Sequence, residues 1–175
     1  MQTTLNKIKS HSPCEDGWKK LLNYLGKTKA DDEPLELRTI LESNELDDTI
    51  WAFRAVEGKD KEIRLFAADC AELVLPNYEK EYPNDDRPRK AIQSARDYAN
   101  GLISEEELAA AWAAARGAAS SAAWAAWAAL DAAWAAARGA ASSAVWDAAA
   151  ASDAAWGAAR GAARDEIKSL LLKYI

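Results

Sequence analysis

Tryptophan and arginine recur four residues apart in an alanine-dominated tract, and this pairing is the densest chemistry in the chain. Trp112 and Arg116 return as Trp134 and Arg138, then as Trp156 and Arg160, while Ser120 and Ser142 follow the first two pairs by one further helical turn. An indole gives a nucleobase a face to stack on, worth about 1–3 kcal/mol per base. A guanidinium gives phosphate a planar fork, and serine hydroxyls can complete the cage. The same atoms also suit plain packing. Trp fills the holes that small residues leave, and Arg stacks on the indole one turn back for about 0.5–1 kcal/mol when exposed. Trp and Arg are also the residues enriched at protein–protein hot spots. The spacing alone does not separate these readings.

A second dense run is Asn84-Asp85-Asp86-Arg87-Pro88-Arg89-Lys90. Arg87, Arg89 and Lys90 could form an anion site beside helix-start amides; the simpler reading has an aspartate capping a helix with the cations solvated. Acidic doublets at Asp31-Asp32, Asp47-Asp48 and Asp85-Asp86 could invite Mg²⁺. Each precedes a predicted helix, so capping explains them more economically and no metal site is expected. The only histidine, His11, lies in a polar N-terminal stretch, and no P-loop, GxSxG or HExxH motif is present. No catalytic residue is therefore assigned, and no cofactor is expected. Cys14 and Cys70 lack CxxC spacing and read as reduced thiols.

The elements that must carry these residues are helices. The tract repeats every 22 residues, two hendecads at about 3.67 residues per turn, so the Trp stay near one helix face. Of the 55 positions from 109 to 163, 32 are Ala, which leaves little else to build a core. From Ser104 to Tyr174 no proline intervenes, and one straight helix there would run roughly 105 Å at 1.5 Å per residue. A compact chain of this size has a radius of gyration of about 16 Å. The tract must then fold back or pair with other chains, and Gly117–Ser121 and Gly139–Ser143 are the natural bends.

Upstream, Ser12-Pro13-Cys14-Glu15 reads as a capping box launching a helix with Trp18, Leu21 and Leu22. Further helices are expected from Pro34, from about Asp47 to Val56, from Asp60 to Leu75 before Pro76, and from Pro88 to Ala99. Ser104-Glu105-Glu106-Glu107 opens the Ala tract with another capping box. The fold class is all-α: a bundle of about five short helices over 1–103, then an Ala/Trp-rich helical region over 104–175 that packs on it or on partner chains, making a homo-oligomer.

The net charge of −6 and pI near 4.9 argue against general nucleic-acid binding and favour a basic protein partner. Polar residues 1–12 offer no signal peptide, and the Arg, Asp and Ser of the Ala tract recur too closely for a bilayer span. A cytoplasmic location away from membranes is expected.

Three runs carry a family resemblance: Leu46-Asp47-Asp48-Thr49-Ile50-Trp51-Ala52-Phe53-Arg54-Ala55, Arg64-Leu65-Phe66-Ala67-Ala68-Asp69-Cys70-Ala71-Glu72, and Asp85-Asp86-Arg87-Pro88-Arg89-Lys90-Ala91-Ile92. Together with the opening at Ser104–Leu108 and the leucine-rich end from Ile167 to Tyr174, they resemble the fifth immunity-protein family of polymorphic toxin systems over most of 35–175. The resemblance implies an all-α, non-enzymatic protein that neutralises something by binding it. Similar chains also fit bacteriophage genomes, where the target would be a host defence protein or a nucleotide immune signal. The leading expectation is sequestration of a small phosphorylated nucleotide by the Trp/Arg groups of the Ala tract with Arg87, Arg89 and Lys90, the evenly repeated Arg favouring it. The alternative is an immunity protein that binds a protein toxin or defence effector. A purely structural Ala-coil oligomerisation module is the remaining alternative.

Overall fold

A computed structural model describes residues 1–119 and 157–175, with the side chains of Glu81, 116–119 and 157–163 outside the description. Among the described residues the protein is all-α, with seven α-helices, one 3₁₀ turn and a two-residue strand pair. The helices are α1 (Leu5–Ser10), α2 (Glu15–Tyr24), α3 (Leu37–Ala52), α4 (Asp60–Glu81), α5 (Arg87–Ala99), α6 (Glu105–Ala119) and α7 (Gly157–Leu171), with the 3₁₀ turn at Phe53–Ala55. Strands β1 (Gln2–Thr3) and β2 (Leu35–Glu36) pair antiparallel, Gln2 opposite Glu36 and Thr3 opposite Leu35.

The N-terminal stretch is structural rather than a solvated tail. Thr4 caps α1 by accepting from the Lys7 amide, and Leu5 and Ile8 are buried in the main core. That core also takes Leu21, Leu37, Ile40, Ile50, Phe53 and Phe66, and, from the far end of the chain, the fully buried Leu171. Phe66 stands edge-on to both Phe53 and Tyr174, with centroids 5.5 and 5.9 Å apart. The Tyr174 hydroxyl donates to Asp69 at 2.7 Å. A second cluster of Ala68, Ala71, Leu75, Ile92, Ala95 and Leu108 joins α4, α5 and α6, and its alanines let these helices approach closely.

Several predicted boundaries shift for local reasons. The cap of α2 is Cys14, whose sulfur accepts from the Gly17 amide at 3.3 Å, while Ser12 turns out of the helix at φ 55°. The helix expected from Pro34 starts at Leu37, because Leu35 and Glu36 pair with β1. Its predicted separation from the next helix survives as a break at Glu45, at φ 72° and ψ −169°. Helix α4 does not stop before Pro76; it runs to Glu81. Pro76 is solvent-exposed and its ring removes one internal bond, but Tyr78 beyond it is buried, and its hydroxyl donates to Asp85 at 2.7 Å. The box at Ser104 forms as predicted: the Ser104 amide donates to Glu107 at 2.8 Å and the Glu107 amide to the Ser104 hydroxyl at 3.2 Å.

Candidate functional site

Two places gather chemistry. The first is a cleft of about 50 Å³ between the α1–α2 connection, α2 and α3. Ile8, Leu21 and Ile40 line it, together with the half-buried indoles of Trp18 and Trp51. Its polar edge is Cys14, Asn44 and Asp48.

The local sequence dictates this edge. Residues 40 and 44 share a face before the break at Glu45 and residues 48 and 51 share one after it, and the polar Asn44 and Asp48 line the cleft between the apolar Ile40 and Trp51. Asn44 Nδ2 donates to the Gly17 carbonyl at 2.8 Å and to Asp48 Oδ2 at 2.7 Å, while the Ser43 hydroxyl donates to Asn44 Oδ1 at 2.7 Å. Gly17 is required here: a Cβ would stand 2.7 Å from Asp48 Oδ2. Glu45 lies in a backbone region nearly exclusive to glycine, costing about 1–3 kcal/mol. The Asn44–Asp48 hydrogen bond spans this break. Among the described residues Asp48 has no cation within 4 Å, whereas neighbouring Asp47 holds Arg164 at 2.7 Å.

The second place is the corner between α4 and α5. Asp85 accepts from the Arg87 amide at 3.1 Å, from the Arg87 guanidinium at 2.8 and 2.7 Å, and from Tyr78. The Arg87 bonds hold the Asp85 carboxyl well below the usual carboxylate range, and burial next to that carboxylate pushes Tyr78 up to about 12. Arg89 forks onto Glu79 with two bonds of 2.7 Å, and Lys90 meets Asp86 at 2.8 Å. All three cations predicted as an anion site are therefore brought to one corner, each with its own carboxylate. Further along, Arg96 bridges Asp69 and Glu72. Arg64 lies over the Tyr98 ring at 5.0 Å, with a buried Nη1 that has no hydrogen-bond partner.

Of the repeat, Trp112 is half-buried on α6. Arg116 lies on α6 and Arg160 on α7, with side chains outside the description. Ser120, Trp134, Arg138, Ser142 and Trp156 lie outside the described residues. The sequence carries no site signal for these cleft residues: Trp18 falls in the apolar run of its helix, and Asp47-Asp48 reads as a capping doublet. Its nearest hint is the polar pair Asn44 and Asp48, four residues apart between the apolar Ile40 and Trp51.

No group of three or more His, Cys, Asp or Glu converges among the described residues, and no described helix is long and apolar enough to cross a membrane. The fold thus defines an all-α helical protein in which the cations of the α4–α5 corner are paired to carboxylates. Residues 55–141 match the model of the family described as Imm-5 like putative immunity protein, a range that contains the Asp85–Ile92 run. The match takes in α4, α5 and α6 and leaves the cleft outside it. No curated protein and no solved structure matches the chain.

Proposed function

We propose that the protein is a non-catalytic immunity-type protein that neutralises a basic protein by binding it. The observation that carries this is the excess of 28 acidic over 22 basic residues, a net charge of −6, with Arg87, Arg89 and Lys90 each already held by a carboxylate rather than free to hold an anion. A net negative protein steers a positive partner. The matched family's description supports the same role. The test is to mix the purified chain with basic toxin-type nucleases as candidate partners, at low and high salt. Co-elution on size exclusion that weakens about tenfold or more in high salt is expected; separate elution at micromolar concentrations overturns the reading.

The repeated Trp-x3-Arg spacing favours a second reading, in which the Ala tract sequesters a phosphorylated, base-containing signal, as a phage would need to blunt a host defence. Trp112, Trp134 and Trp156 would stack the base, and Arg116, Arg138 and Arg160 would hold phosphate with Ser120 and Ser142. Exchange of carboxylate for phosphate at Arg87, Arg89 and Lys90 would add to the affinity. Native mass spectrometry of the protein from defence-activated cells should then show a carried nucleotide, lost in Trp134→Ala/Arg138→Ala. An unliganded mass for the unaltered chain sinks this reading, and the same spectrum reports whether it is a homo-oligomer.

A further inference from the structure

We infer that the cleft between α2 and α3 is a receptor for a single lysine or arginine side chain of a protein partner, with Asp48 as its counter-ion and Trp18 and Trp51 as its walls. Size decides the class of occupant. Small-molecule pockets run to about 300–1,000 Å³, and a cleft of about 50 Å³ has room for the tip of one side chain. Chemistry decides the kind of tip. Asp48 is half-buried and meets no cation among the described residues, although Lys27, Arg87, Arg89, Lys90, Arg96 and Arg164 all pair with carboxylates elsewhere. Its one described hydrogen bond, from Asn44, fixes its orientation without cancelling its charge. An indole face attracts a cation through its quadrupole; within this molecule Arg54 already stands 4.3 Å over the Trp51 ring, and Arg54 does not line the cleft.

The site is also built in advance. Gly17 leaves space for Asp48, and the hydrogen bonds from Ser43 to Asn44 and from Asn44 to Asp48 hold the carboxylate in place. An aliphatic stem would lie along Ile8, Leu21 and Ile40 while its charged head meets the carboxylate, as long cationic side chains commonly do.

The inference rests on the reading of a basic protein partner, and its test is separable from that reading. The full chain, with its indole groups isotope-labelled and assigned through Trp18→Phe and Trp51→Phe, is titrated with N-acetyl-arginine-amide and with the uncharged N-acetyl-citrulline-amide. The arginine probe is expected to move the Trp18 and Trp51 indole signals along a saturating curve, at least tenfold tighter than citrulline, and Asp48→Asn should bring it to the citrulline level. Equal shifts with both probes, or an Asp48→Asn protein that binds arginine unchanged, overturns it. Should Asp48→Asn disturb the fold, alkylation of Cys14 at the mouth of the cleft provides a second arm: it should abolish the shifts, and their persistence overturns the proposal. If a basic protein partner binds while the probe leaves Trp18 and Trp51 unmoved, the cleft fails alone. If the probe binds and no such protein does, the partner reading fails alone.

Discussion

Asp85 and Tyr78 show how single residues can convert a charged motif into a structural clamp. With Arg87 bonded to it, Asp85 keeps its charge below the usual carboxylate range; its stabilising contribution is complete above about pH 4 and is lost as pH falls through the lowered folded value. Tyr78 is raised from 10.0 to about 12 by burial and by Asp85, so its contribution is present below about pH 10 and lost as pH rises towards 12. Tyr78→Phe removes one buried hydrogen bond and should cost about 1 kcal/mol at pH 7. In urea titrations the gap between the two proteins should close as pH rises from 10 to 12; a constant gap would detach Tyr78 from the clamp. The two thiols provide a second contrast at this scale. Cys14 is exposed, whereas burial, with a smaller effect of the Asp69 carboxylate, pushes Cys70 up to about 12. A thiol reagent at pH 8 should therefore modify one cysteine in the native protein and two after denaturation.

At the scale of elements, α3 and α4 are where local rules were overridden. The Asp47–Val56 helix was legible from its apolar spacing, but its junction with the preceding helix was not, since nothing about a glutamate advertises a left-handed φ. The break at Glu45 is held by tertiary contacts: Asn44 bonds to α2, and Thr49 donates back to the Glu45 carbonyl at 2.6 Å. Replacing Glu45 with Gly should relieve the strain and stabilise the protein by about 1 kcal/mol, read as a higher urea midpoint with an unchanged slope. A lower midpoint would mean the Glu45 conformation is not strained. In α4, Pro76 predicted a stop, and the burial of Tyr78 two residues later carried the helix past it.

Across the whole molecule the termini close the fold. Leu171 is fully buried among residues from α1, α3 and α4, and Tyr174 bonds to Asp69. Leu171→Ala should cost about 2–5 kcal/mol in a denaturant titration; a loss under 1 kcal/mol would mean that α7 does not complete the core. The sequence by itself determined the helical class, the capping box at Ser104, the helix from about Pro88 to Ala99 and the resemblance to the family whose model matches residues 55–141, because caps, periodicity and motifs act within a few neighbouring residues. Only the tertiary structure decided that residues 1–10 and 171 share one core, that Arg87, Arg89 and Lys90 each face a carboxylate, and that Asp48 stands beside two indoles without a cation among the described residues. Those outcomes depend on which side chains meet across helices distant in sequence, and helical spacing places a residue on a face without specifying what that face will meet.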